Sequence, residues 1–258
     1  MNHLKCSEEY PEVDGNWWHY NEDDEIEIWE FEPYTNGLIF TLISSEGYYI
    51  VSGLKSDCTE TKIVIPSRYQ GLPVKSIGVS AFEGHTSLVE VVIPDSVTQI
   101  RQFAFAYCPS LEKVEISGCV TELGSYAFAY CPALTEITIP SGVTSIPWSL
   151  FEGCASLPSV VIPDGVTGIG NAAFAQCYAL EHIVIPNTVL QIGDAAFADC
   201  DRLDVVYYGG TAAEWKSVAI GSYKNGVLKT ADRYDYSETE PTTEGNWWHY
   251  ADGVPTEW

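Results

Sequence analysis

The chain has 258 residues, with 36 acidic side chains against 12 Lys and Arg and a formal net charge of -24. That balance excludes a phosphate-neutralising nucleic-acid surface and docking on anionic lipid. Hydrophobic residues make up 46%, enough for a packed core, and no run of 18 apolar residues is available to span a bilayer.

Residues 1–35 hold 11 acids and a single Lys, together with the hexapeptide Gly15-Asn-Trp-Trp-His-Tyr20. They are expected to be an acidic, Trp-containing leader or linker. The opening residues Met1-Asn-His-Leu-Lys-Cys6 lack the apolar core of a signal peptide. For an exported protein, the signal is then expected to be removed already or to lie outside this sequence. Residues 36–66 read as an N-terminal cap and first strand. Leu38-Ile-Phe-Thr-Leu-Ile43 and Tyr48-Tyr-Ile-Val51 flank Ser44-Ser-Glu-Gly47, the pattern of a hairpin that covers the first rung of a repeat stack.

Residues 67–208 are periodic. Phe82, Phe105, Phe128, Phe151, Phe174 and Phe197 stand 23 residues apart. Leu88 to Leu203 and Ile77 to Ile192 keep the same step, in phase. Each unit opens with an alternating β-branched run, such as Leu111, Val114 and Ile116 on one side against Lys113 and Glu115 on the other, which predicts a short strand. Val97-Thr-Gln-Ile100 predicts a second short strand, and the residues around Ala104-Phe105 predict a helical turn. Pro94, Pro140, Pro163 and Pro186 turn the chain out of the first strand. A unit this short cannot bury its apolar face alone, so the units must stack. The predicted fold is an α/β solenoid of parallel strands about 4.8 Å apart per rung. Cys108, Cys131, Cys154, Cys177 and Cys200 recur after each Phe and read as a buried ladder of small side chains; disulfides between rungs are the rival reading.

Residues 209–234 read as a C-terminal cap, in which Thr211-Ala-Ala-Glu214 is a capping-box pattern that opens a short helix carrying Trp215. Residues 235–258 contain no Lys or Arg and repeat the hexapeptide as Gly245-Asn-Trp-Trp-His-Tyr250, so they read as an acidic tail or linker. The duplication has three readings: the start of a next module in an array, packing on the solenoid or between the copies, or an aromatic ligand motif.

Two stretches of the repeat, Ile93-Pro-Asp-Ser-Val-Thr-Gln-Ile100 and Ala104-Phe-Ala-Tyr-Cys-Pro-Ser-Leu111, resemble the BspA-type, or Treponema-type, leucine-rich repeat. Ile63-Val-Ile-Pro-Ser-Arg-Tyr-Gln-Gly-Leu-Pro-Val74 resembles that family's first repeat, and Tyr208-Gly-Gly-Thr-Ala-Ala-Glu-Trp215 its C-terminal cap. The likeness runs over roughly residues 37 to 228. It implies a right-handed leucine-rich-repeat solenoid in a bacterial surface or secreted binding protein, and it leaves the partner open.

No catalytic motif stands out. Gly168-Ile-Gly-Asn-Ala-Ala173 imitates a dinucleotide fingerprint, but its glycines are repeat positions and no βαβ unit comes after it. The five His have no arranged acid and nucleophile, and the Cys and His spacing fits no zinc site. No cofactor, no metal and no catalytic residue is therefore expected.

Function is expected on the exposed faces. On the first strand, the outward columns turn apolar toward the C-terminal end, at Val161, His182, Val184 and Tyr207. Around the Phe turn, Phe103 and Tyr126 share one column and Tyr107 and Tyr130 another, with Trp148 one rung on. Five aromatics over three rungs are dense enough for a contact patch. Beta propensity explains the first group equally well, and lateral packing of rings the second. The expectation is a monomeric, non-enzymatic binding or adhesion module for a protein or glycan, extracellular or at the cell surface, with a cytoplasmic location left open. The alternative is a structural spacer in a longer surface array.

Overall fold

The structure, a computed structural model, describes residues 34–242, 245–251 and 253–258, together with the backbone of strands Lys5–Cys6, Trp17–Tyr20 and Ile26–Trp29. Each repeat makes one rung with three sides. The first side is the strand of the alternating run: Lys62–Val64, Glu90–Ile93, Lys113–Ile116 and Glu136–Ile137 pair in parallel, in chain order. Ser159–Val161, His182–Ile185 and Val205–Tyr208 form a second such sheet. The second side carries two-residue strands, as in Gln99–Ile100 beside Glu122–Leu123. Val-Thr-x-Ile is too short to make more.

Each side is interrupted once, at successive rungs and for the same reason: the second side before Ile146, the first before Ser159–Val161. Elsewhere the residue after the second strand donates its N–H to the rung before, as Gly124 does to Ile100 and Gly170 to Ile146. Pro147 holds that place in the interrupted rung and has no N–H. On the first side, Glu112 and Thr135 donate to the rung before them, and Pro158 in the same column cannot. The second side therefore keeps a single bridge there, Ile146 to Ile169.

The third side departs from expectation. The helical turn predicted around Ala104-Phe105 is a run of turns. Phe103, Phe105 and Tyr107 donate to the carbonyls of Ser125, Ala127 and Ala129 on the next rung, while Ala104 and Ala106 close turns onto Arg101 and Phe103. Phe103 and Tyr107 both lie at φ 57, and a left-handed residue every fourth position prevents a helix. Among the described residues, helix is confined to Ala212–Trp215 and Val227–Thr230. The molecule is a β-solenoid with little helix rather than an α/β one.

Inside, the Phe rings stack from rung to rung, 5.0 Å apart for Phe82 and Phe105 and 5.4 Å for Phe105 and Phe128. The five ladder cysteines are buried and free. Each thiol donates to the carbonyl of the preceding rung's Phe, as Cys131 does to Phe105 at 3.1 Å and Cys154 to Phe128 at 3.2 Å. A thiol fits here because it fills a small apolar space and still offers a weak donor. Burial pushes the Cys154 thiol up to about 12, so it stays protonated and unreactive at neutral pH.

At the N-terminal end, Leu38–Ile43 and Tyr48–Leu54 form an antiparallel hairpin whose second strand pairs with Leu72–Ile77. At the other end, Thr211 and Glu214 bond reciprocally in a capping box, and Trp215 packs on Tyr208 at 5.0 Å. Asn225 closes the turn ladder. Its Oδ1 accepts from Phe197 N, and its Nδ2 donates to the Gly193 and Gly221 carbonyls. One buried amide thus replaces the peptide groups of the missing next rung.

The tail is not simply a linker. Asp232–Tyr236 pairs in parallel with Val205–Tyr208, Trp247–Ala251 pairs with Asp232–Tyr236, and Val254–Glu257 closes an antiparallel hairpin. The second hexapeptide copy is thereby built into the sheet. The leader lies mostly outside the described residues. Its Trp17–Tyr20 strand nevertheless has the same pairing scheme: parallel to Lys5–Cys6 and antiparallel to Ile26–Trp29.

Candidate functional site

The outward face of the first side is charged at its start. Lys62 bridges Glu90 at 2.9 Å and Lys113 bridges Glu115 at 2.7 Å. Exposed pairs of this kind contribute little stability. The apolar end differs from expectation. Val161 is open, 47% exposed, but Val184 is only 3% exposed. The tail packs on this end of the face, against Tyr207 and Tyr208. Because Tyr207 pairs with Tyr234, and Tyr236 with Trp248, the added strands direct Tyr234, Tyr236 and Trp248 to the same face. Trp248 is 1% exposed, donates Nε1 to the Tyr208 carbonyl at 2.8 Å and lies 5.5 Å from the Tyr207 ring. The Tyr207 hydroxyl reaches Glu257, and its ring meets the edge of His182 at 5.8 Å. Burial holds the His182 imidazole below its ordinary value, against the opposing pull of Glu181. Burial, then the Asp164 carboxylate, raises the Tyr250 phenol. Val184 is therefore not an open partner contact; Tyr207 is half-buried against the chain's own tail, and His182 is half-buried beside Tyr207.

The turn side is different. Phe103 and Tyr126, and Tyr107 and Tyr130, all have φ between 57 and 61. The same two columns hold Ser80 and Ser149, and Gly84 and Gly153. A side chain in this region costs about 1–2 kcal/mol, so aromatics need an offsetting contact or a use. Stacking supplies part of it: the Phe103 and Tyr126 rings are 4.8 Å apart and the Tyr107 and Tyr130 rings 5.0 Å apart, nearly parallel. The Tyr130 hydroxyl donates to Glu152, and that bond, with burial, raises the phenol well above its ordinary value. Next to this stack the column drops to Gly153, where a Cβ would come within 2.7 Å of Tyr130 Cδ1. The ring leans into the gap. A shallow groove of about 380 Å³ results, with Tyr107, Pro109, Tyr130 and Pro132 at one end and Gln176 and Tyr178 at the other.

Trp148 does not join that groove. It stands at the corner between the turns and the second side, 61% exposed, with a separate depression on each flank. The five aromatics expected in one patch are thus divided. Tyr107 and Tyr130 share a groove, Phe103 and Tyr126 stack beside it on the ridge, and Trp148 belongs to another surface. Tyr178 was missed. The signal was available, because Tyr178 stands in the column of Thr86, Pro109, Pro132 and Ala155, where an aromatic breaks the pattern.

Among the described residues, no group of three or more His, Cys, Asp or Glu is placed to hold a metal ion. No helix among them is long and apolar enough to cross a membrane.

The profile of the BspA type leucine rich repeat region matches residues 52–181 as six copies. The chain belongs to the BspA-type leucine-rich repeat family. A leucine-rich repeat protein from Eubacterium ventriosum is 24% identical with a TM-score of 0.59, over 81% of this chain and 52% of that one. A leucine rich cell surface protein from Faecalibacterium prausnitzii is 27% identical with a TM-score of 0.48, over 83% of this chain and 43% of that one. The leucine rich repeat protein of T. pallidum is 26% identical with a TM-score of 0.48, over 80% and 86%. The chain therefore spans about half the length of the Eubacterium structure and less than half of the Faecalibacterium one. A search of curated proteins finds no match. In this BspA-type chain the strands and core follow the repeat, whereas Tyr107, Tyr130 and Trp148 are departures from it.

Proposed function

We infer that the chain is a non-enzymatic binding or adhesion module of a bacterial surface or secreted protein, which holds a protein or glycan partner on its turn side. The observation that carries this reading is the groove of Tyr107, Tyr130 and Tyr178. Three aromatics are presented to solvent there, two of them at a backbone conformation that disfavours them. Tyr is enriched where interfaces draw their binding energy, and a groove lined by Tyr and Pro suits an extended protein segment. Family membership supports the surface or secreted location.

The test replaces Tyr107 and Tyr130 together by Gly. Gly84 and Gly153 occupy the same column, so the backbone accepts the change, and relief of the left-handed strain offsets much of the lost stacking. The expected result is a thermal midpoint close to that of the parent. Capture from an array of extracellular-matrix and bacterial envelope proteins should weaken at least tenfold. Equal capture by parent and variant would remove the groove from this reading.

The second reading is a spacer module. Its motivation is the pair of hexapeptides: Trp17 and Trp247 stand ten repeat steps apart. Each copy pairs in parallel with a strand twelve residues earlier, Lys5 with Trp17 and Asp235 with Trp247, and then turns into an antiparallel hairpin. On this reading the parent gene carries further Gly-Asn-Trp-Trp-His-Tyr copies at the same interval. Sequencing it checks this, and a lone pair of copies would count against an array.

A further inference from the structure

We propose that the surface around Trp148 is a second binding site, for an uncharged, extended glycan chain running along the solenoid axis. It is separate from the Tyr107–Tyr130 groove.

The site lies at the interrupted rung. Pro147 removes the N–H that would have continued the second side, and the two-residue strand expected there is reduced to the Ile146 bridge. Trp148, next in the chain, stands in a repeat column that points to solvent at other rungs as well, as at Val79, and is 61% exposed. A depression of about 500 Å³ lies on each side of its ring. Both depressions share a floor at Ile169 and Gly170 and are bordered by Gln191. The floor is flat because side chains are excluded from it. A Cβ on Gly170 would lie 2.8 Å from Trp148 Cδ1 and from backbone, and one on Gly193 would lie 2.3 Å from Asn171 Oδ1.

The polar groups are fixed in advance. Trp148, Asn171 and Asp194 succeed one another in a single column, one per rung. Asn171 Oδ1 accepts from the Asp194 N–H at 2.9 Å, and Asp194 Oδ1 accepts from the Tyr223 N–H at 3.1 Å. These bonds leave Asn171 Nδ2 as a donor and Asp194 Oδ2 as an acceptor, with no partner among the described residues. A donor and an acceptor one rung apart match neighbouring sugar hydroxyls, each of which both donates and accepts. An exposed indole face offers apolar area to the C–H face of a pyranose, with its polar edge left to hydrogen-bond. The rung spacing of about 4.8 Å is close to the length of one pyranose in an extended β-linked chain, so successive sugars meet successive rungs.

The charge selects among glycans. No Lys or Arg lines either depression, and the one charged side chain there is Asp194. With a net charge of -24 on the chain, uronic, sialylated and sulfated polymers are repelled. A protein partner is less suited, because hot spots on proteins need an enclosed apolar centre, and this floor is peptide and glycine.

The test is affinity electrophoresis of the intact chain through gels containing mixed-linkage β-glucan, arabinoxylan or galactomannan, with polygalacturonate and heparin as anionic counterparts. At least one neutral polymer should retard the parent and neither anionic one should. Trp148→Ala should weaken that retardation at least tenfold and Trp148→Phe by less, while the Tyr107→Gly, Tyr130→Gly double variant should migrate as the parent does. Trp148 is exposed, so its variants should keep the parent's thermal midpoint. Absence of retardation by every neutral polymer would overturn the proposal. So would retardation indifferent to Trp148→Ala, or stronger retardation by an anionic polymer. Because the double variant probes the other surface, failure here leaves the Tyr groove standing, and the reverse also holds.

Discussion

Phe128→Ala should lower the unfolding free energy by about 3–5 kcal/mol, the range for truncating a buried Phe. Phe128 has no exposed surface and sits between two ring contacts, 5.4 Å to Phe105 and 5.8 Å to Phe151. Its carbonyl also accepts the Cys154 thiol, so the cavity opens beside a hydrogen-bonded group that cannot simply collapse inward. The rung is central, and solenoid stability is built from contacts between neighbouring rungs. The loss therefore weakens the coupling between the two halves as well as the rung itself. The two rungs after it already carry the sheet interruptions, at Pro147 on the second side and at Pro158 on the first. Urea unfolding should show an earlier midpoint, and a shallower slope if the halves begin to melt separately. A loss below about 1 kcal/mol would mean that the Phe ladder is not the core.

Trp248→Ala should have a comparable local cost, about 3–5 kcal/mol on the docking of the tail, with a different signature. Trp248 is buried against Tyr207, Tyr236 and Tyr250 and holds the Tyr208 carbonyl through Nε1. These contacts join the hairpin to the last rungs and leave the interior ladders untouched. The variant should release the hairpin while the repeat body unfolds at its usual midpoint, because separate cooperative units open separately. Hydrogen exchange should show lost protection at Trp247–Ala251 and Val254–Glu257, with protection kept at Val205–Tyr208. Uncovering Tyr207 should also increase binding of an apolar dye. Unchanged exchange across the hairpin would show that the tail is held by something other than this indole.

Part of this was legible in the chain because a repeat makes each position report several times. Phe, Leu and Ile recurring every 23 residues leave one physical solution, a stack in which identical side chains form ladders. The strand of the alternating run came directly from its period of two. The turn side did not emerge in the same way. Ala and Phe with small neighbours fit a helical turn by propensity, and the choice against it was made by hydrogen bonds to the next rung. Phe105 N–H goes to Ala127 rather than back along its own segment, a partner that no local reading contains. The candidate site was half legible. Tyr107 and Tyr130 stood out against Gly84 and Gly153, whereas Tyr178 closes their groove only because the column drops to Gly153 between them.

By itself, then, the sequence determined the solenoid, its step, its buried ladders and its family, because these depend on periodicity and on local chemistry repeated in phase. The tertiary structure decided which exposed residues remain exposed. Val161 and Val184 occupy the same outward column one repeat apart and are indistinguishable in pattern, yet one is open and the other covered. Beside Val184 the strand of Tyr207 and Tyr208 carries Trp248 and a tail whose acidic composition suggests a linker but whose Trp and Tyr side chains gain more from burial on the last rungs than the strand loses in chain entropy. Tyr107, Tyr130 and Trp148 were likewise all visible as aromatics. Only the fold, which sets their columns on different sides of each rung, separated them into two surfaces.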